Sequence, residues 1–368
     1  MSVPEYIGIV LYSHSPKEQP ASGFTSTIQP HHEEPYTMSQ AANASQEKSS
    51  EGGARWLMHV PIPLFAMVMG ITGLGLAWRK AGHVLGAPAM VGEYLLGTGA
   101  VLFVLIFMLY MTKAIAHPGE VKAEFSNPIR VNFFPTVSIS LLLLAIASFD
   151  YSQATSLALW AMGTTLHFIA TVYLMGRWIN HAHEIHMINP AWFIPVVGNL
   201  LVPIAGVRLG FMETSWFFFS IGMVFWILLF TIVFYRIVFH NPMPAKFLPT
   251  LFILIAPPGV AVIAYMGLMN HQADVLVKLL VYSGLFITVL NLSLVRQFLK
   301  VPFFVSWWAY TFPLAAMTIA TLDYLAVTGG LGLTLIGWTL LGITSVIILV
   351  VLLATTIALF RGKLFVPD

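Results

Sequence analysis

The sequence predicts an all-α integral membrane protein of ten transmembrane helices, paired as five hairpins with quasi-fivefold symmetry about a shared axis. Three observations lead there. The 368 residues are 58% hydrophobic and only 9% charged, with a mean hydropathy of +0.84. A soluble domain carries about 25% charged residues, so a soluble fold is excluded. Ten apolar stretches follow one another, near 56–79, 91–116, 129–149, 155–179, 191–210, 215–239, 247–268, 274–298, 303–325 and 334–360. Each matches the roughly 20 residues that cross a hydrocarbon layer about 30 Å thick. Proline then alternates: Pro63, Pro135, Pro203, the pair Pro257–Pro258 and Pro313 fall in the odd stretches, and the even ones have none in their interiors.

Proline removes an amide hydrogen and frees a carbonyl. Inside lipid this is tolerated only where protein or a water-filled cavity takes up the freed groups. The odd stretches are therefore expected to be kinked inner helices. They also carry small residues, such as Gly70, Gly73 and Gly75 in the first and Gly198 and Gly206 in the fifth. Small residues let backbones approach closely. The even stretches, as at Val101–Tyr110 and Ile343–Leu353, are apolar almost all round and read as lipid-facing.

Residues 1–54 differ in kind, being rich in Ser, Glu, Gln, Pro and Ala. They are expected to be a disordered tail ahead of a membrane domain over 55–368. The tail lacks the charged start and apolar core of a cleavable signal peptide. Basic residues gather at one set of loops and both tails, among them Lys113, Lys122, Arg130, Arg177, Arg236, Lys246, Arg296, Lys300 and Arg361. The other set holds Arg79, Lys80, Arg208 and Lys278. Positive residues favour the cytoplasm, which places both termini there in a multi-pass protein of the cell membrane.

A net charge of +2 gives no reason to expect nucleic acid, and with no cysteine there is no disulfide or thiolate metal site. No Walker loop, Gly-x-Ser-x-Gly or dinucleotide fingerprint is present, so neither an enzyme nor a cofactor is expected. Ionisable residues near the spans reduce to Glu93, His167, Arg208 and Lys278. Charges in a bilayer interior mark ion pathways or proton relays. Their scarcity fits a passive pathway with an uncharged wall. Arg208 could attract anions at an outer mouth. His181, His183 and His186 form the densest polar cluster, in a short loop; a metal site there is the alternative to a solvated loop. Phe312 lies beside Pro313, where an aromatic ring could turn inward and plug a narrow lumen.

Several motifs resemble one family. Phe65-Ala66-Met67-Val68-Met69-Gly70 with Gly73-Leu74, Asn127-Pro128-Ile129-Arg130-Val131-Asn132-Phe133-Phe134, and Val196-Val197-Gly198-Asn199 are similar to segments of the TehA-like tellurite-resistance/dicarboxylate transporters. Trp307-Trp308-Ala309-Tyr310-Thr311-Phe312-Pro313 resembles the ninth helix of the plant guard-cell slow anion channels in the same superfamily. The resemblance covers about 55–365. It implies a central pore lined by helices 1, 3, 5, 7 and 9, three associated protomers each with its own pore, and a gate at Phe312 with Pro313. Residues expected on the pore are Gly70, Gly73, Pro135, Ser138, Asn199, Pro203, Pro257 and Pro258. With Pro61 and Pro63 so early, the bend of helix 1 is expected at Gly70 and Gly73. The implied function is passive, gated passage of small anions such as chloride and nitrate. The alternatives are a proton-coupled dicarboxylate (malate) or tellurite carrier, with His59 as its titrating group, and a membrane metalloenzyme using His181, His183 and His186.

Overall fold

The computed structural model describes residues 56–366. The tail predicted over 1–54 lies outside the described residues. Among these, every regular element is helical, and nine helical stretches are long and apolar enough to cross a membrane. The two classes of helix read from the sequence appear as a difference in burial. In the first, third, seventh and ninth segments, 72% to 83% of the most apolar stretch is buried, against 22% to 39% in the even segments. The outer helices are α2 (Ala89–Ala116), α5 (Gln153–Asn180), α8 (Met212–Phe239), α10 (Val275–Ser293) and α12 (Leu331–Phe360). A short helix α3 (Pro118–Ser126) follows α2.

The prolines stand at changes of helix type. Each odd segment begins as a 3₁₀ turn and becomes α-helical at or near its proline. Ile62–Leu64 leads into α1 (Phe65–Leu85), Arg130–Phe133 into α4 (Thr136–Ser148), Ala245–Ile255 into α9 (Ala256–Leu268), and Val305–Tyr310 into α11 (Thr311–Thr328). Pro135 caps α4, Pro257 and Pro258 are the second and third residues of α9, and Pro313 is the third of α11. The first amides of an α-helix have no partner within it, so proline there costs no hydrogen bond. α1 runs as one continuous α-helix through Gly70 and Gly73 to Gly86, whose φ of 72° closes it.

The fifth segment departs furthest from expectation. It is not one helix of membrane length but four short pieces: 3₁₀ turns at Pro190–Phe193 and Gly198–Leu201, alternating with α6 (Ile194–Val197) and α7 (Val202–Gly206). Pro195 and Pro203 each lack the amide that would continue the ladder, and side chains bond to carbonyls beside them. Thr171 Oγ1 of α5 donates to Pro195 O at 2.7 Å, and Trp160 Nε1 donates to Val202 O at 2.9 Å. Asn199 Nδ2 donates to Pro195 O and Val196 O at 3.0 and 2.9 Å. Irregular backbone survives at this depth because protein surrounds it.

Several basic residues counted for topology also hold the fold. Lys113 Nζ donates to Val60 O at 2.7 Å and pairs with Glu124 Oε2 at 3.0 Å, with 2% and 4% of the two side chains exposed. Tyr110 donates to the same carboxylate. Arg177 ties α5 to the carbonyls of Phe125 and Ser126 at 2.9 and 2.7 Å. A buried charge stripped of its partner costs about 3–5 kcal/mol. Lys113→Met is therefore expected to lower the melting temperature in detergent clearly, and the double change Lys113→Met/Glu124→Leu to recover much of it.

Candidate functional site: two cavities meeting at Phe312

Two cavities lie in the interior of the bundle, one at each end of the odd segments. The smaller, about 60 Å³, is bordered by Met69, Phe133, Val197, Ala256 and Ala309, one from each odd segment. The wider, about 420 Å³, is bordered by Leu76, Leu143, Ile204, Val260 and Ala316, again one from each. Only Leu201 and Phe312 border both. Those two side chains, 3% and 9% exposed, are the partition between the cavities.

The position of Phe312 follows from its neighbours. It is the second residue of α11, directly after the change from 3₁₀ to α. A Cβ added at Gly73 would lie 3.3 Å from Phe312 Cδ2 and 3.2 Å from Ala315 Cβ, so α1 reaches the ring only because residue 73 is glycine. At Gly70 a methyl group would run into the Thr311 side chain. Thr311 Oγ1 donates to Trp308 O at 2.7 Å, and Trp308 Nε1 donates to Thr355 Oγ1 of α12 at 3.0 Å. The turn that carries Phe312 is thus clamped between α1 and α12.

The residues singled out in the sequence divide into two groups. Gly73, Phe312 and Pro313 border the cavities. Gly70, Pro135, Ser138, Asn199, Pro203, Pro257 and Pro258 lie behind the lining, where they pack helices or satisfy backbone. Ser138 Oγ donates to Pro135 O at 2.8 Å and lies 2.9 Å from His167 Nδ1. Its one proton being used, it accepts from the Nδ1–H of His167. His167 is fully buried, and a side chain at Gly198 would run into its ring. This is the packing role that an outer-helix histidine suggests.

The two walls differ in charge. The small cavity is apolar, as an uncharged pathway requires. The wide one is not: Arg79, Lys80, Asp150, Arg208 and Asp323 border it. Arg79 grips Glu93 with both arms at 2.7 Å and also donates to Ala147 O at 2.9 Å and Asp150 at 3.4 Å. Arg208 meets Asp150 at 2.6 Å and lies over the Phe149 ring at 3.8 Å. Tyr151 donates to Glu93, and that bond pushes its phenol above the usual tyrosine range. Lys80 pairs with Asp323. Asp323 escaped the sequence reading because it sits in an apolar run; its place three turns beyond Phe312, on an inner helix, was the available signal.

The loop histidines do not converge. His181 lies 3.2 Å from Arg177 O, His183 packs edge-on against Trp192, and His186 lies 3.2 Å from Glu184. Among the described residues no group of three or more His, Asp or Glu side chains could hold a metal ion. His59 borders neither cavity.

Buried inner helices bordering two cavities, with a sheath of apolar helices outside, define a multi-pass membrane protein. Residues 59–357 match the family model described as a voltage-dependent anion channel (SLAC1), and the chain belongs to that family. It is 26% identical over 322 residues to the S-type anion channel SLAH2 of Arabidopsis thaliana, covering 85% of this chain and 62% of that one. For SLAH3 of the same plant the figures are 27%, 85% and 50%. The Haemophilus influenzae homolog of the tellurite resistance protein TehA is 25% identical over 260 residues, 70% of this chain and 79% of that one. The chain therefore spans less than two thirds of the two plant channels.

The absence of native cysteine makes the partition directly testable. Val197→Cys and Ile204→Cys are each expected to react with a charged, membrane-impermeant thiol reagent from one side only, and from opposite sides. Labelling of both from the same side in sealed vesicles would remove the partition.

Proposed function

We propose that this protein is a passive, gated channel for small anions, in which Phe312 closes the path. The observation that carries this reading is that the two cavities, each lined by all five odd segments, share only Leu201 and Phe312. The broken segment Pro190–Gly206 is counted as the fifth of ten crossings, which completes five inner and five outer segments. The excess of basic loop residues supports both termini in the cytoplasm of a cell-membrane protein. The exposed large apolar side chains of α2, α5, α8 and α12 suit lipid and, on one flank, the two other protomers of a trimer.

An apolar constriction compensates poorly for lost hydration, so weakly hydrated anions pass most easily. Nitrate is expected to exceed chloride, with malate behind both. A turn of the Phe312 ring away from Leu201 would join the cavities without moving a helix. The carrier reading loses His59 as its titrating group but keeps a charged vestibule.

Current through wild type and Phe312→Ala, in oocytes or planar bilayers, tests the reading. Phe312→Ala is expected to raise anion current by about an order of magnitude or more, with nitrate above chloride. Unchanged current in the variant, with correctly inserted protein, would remove Phe312 from the gate. Silence in both would favour a carrier.

A further inference from the structure

Three cations and two carboxylates border the wide cavity, Arg79, Lys80 and Arg208 against Asp150 and Asp323, and a third carboxylate, Glu93, pairs with Arg79 from outside the lining. With all six ionised the charges cancel, and an approaching anion meets pairs rather than a free cation. The three cations are not equally committed. Arg79 is held by both oxygens of Glu93, by Ala147 O and by Asp150. Arg208 shares Asp150 with it. Losing any one of those contacts leaves Arg79 with others. Arg208 and Lys80 each meet a single carboxylate among the described residues, but that of Arg208, Asp150, is half exposed and shared with Arg79, whereas Asp323 is buried and pairs with Lys80 alone. The two differ in exposure: 8% of the Asp323 side chain is accessible and 29% of that of Lys80. The Asp323 side chain is sunk in the wall, while that of Lys80, which also borders the cavity, keeps more of its surface accessible.

We propose that Lys80 is an anion-binding residue which ionised Asp323 silences and a proton on Asp323 releases. The proton comes from the solution at the open end of the cavity, and no other bond is made or broken. Once Asp323 is neutral, the Lys80 ammonium faces the cavity unbalanced and holds a small inorganic anion such as nitrate or chloride. A unit charge in a partly enclosed site acts far more strongly than in bulk water. The inference rests on the anion reading above and makes anion occupancy of the vestibule rise with acidity on that side.

The other groups facing Asp323 across the cavity are Arg79 and His83 of α1, Asp150 beyond α4, Arg208 beyond α7 and His271 beyond α9. Neither α10 nor α12 contributes a charged side chain to the cavity lining among the described residues. His83 and His271 are imidazoles on the same wall, so the test must separate them from Asp323.

The direct test is nitrate binding to the purified full chain in detergent, read as the nitrate-dependent shift of melting temperature between about pH 8 and about pH 4.5. In wild type the apparent affinity is expected to rise about tenfold as the pH falls. Asp323→Asn should bind nitrate at the acid-form affinity across the range, Asp323→Glu should keep the pH dependence, and Lys80→Gln should lose the acid gain. A pH dependence that survives in Asp323→Asn overturns the proposal in favour of His83 or His271. A wild-type affinity that is flat with pH overturns it too. Nitrate current through Phe312→Ala separates this from the channel reading: expected binding without current leaves the site standing and the channel fallen, and current with flat binding does the reverse.

Discussion

Every backbone amide and carbonyl within the membrane must find a partner inside the protein, and the architecture of the inner segments follows from that constraint. Proline is compatible with it at the start of an α-helix, where its missing amide had no partner to lose. Pro135, Pro257, Pro258 and Pro313 all stand there. The 3₁₀ turns ahead of them leave carbonyls that short side chains recover, as Thr136 does for Phe133 O at 2.6 Å and Thr250 for Phe247 O at 2.6 Å. Where two prolines fall in one segment, at Pro195 and Pro203, no single helix can form, and α5 supplies donors from outside. The same rule thus yields four clean transitions and one broken segment.

Those transitions matter for function because they set where rigid helix begins. Phe312 stands one residue into α11, and Leu201 stands at the last 3₁₀ residue before α7. Both are placed by helix starts rather than by loops, so the partition is held by hydrogen-bonded backbone on either side. Gly73 and Gly70 bring α1 against that turn more closely than any side chain would permit. The ring is held by close packing, and packed interiors transmit small displacements. The ring and Leu201 are apolar, and the charged side chains border the wide cavity alone.

The electrostatic design is accordingly uneven. Around the small cavity polar groups serve the backbone, and around the wide one charged groups serve one another. Arg79, Glu93, Asp150 and Arg208 form a continuous chain of contacts that also joins α1, α2 and the ends of the third and fifth segments. Membership in an anion-channel family fits a vestibule of this kind, in which cations are present but balanced.

Much of this was legible in the chain. Length and hydropathy of the apolar stretches specify a helical membrane protein, since no other regular structure with such runs satisfies its own backbone in lipid. The alternation of proline and glycine separates inner from outer helices, and the Phe312-Pro313 pair falls where the two cavities adjoin, because both signals are local. Ser138 and Asn199 were not interpretable as local signals: a polar side chain on an inner segment suits a lumen, yet each turns to backbone carbonyls of the preceding turn. The pairing of Lys80 with Asp323 joins residues 243 positions apart, and only the packing of α1 against α11 brings them together. Composition and periodicity determine which residues enter the membrane and which face lipid. The contacts between segments decide which polar groups serve the backbone and which are left to meet an ion, because that choice depends on distances no single helix contains.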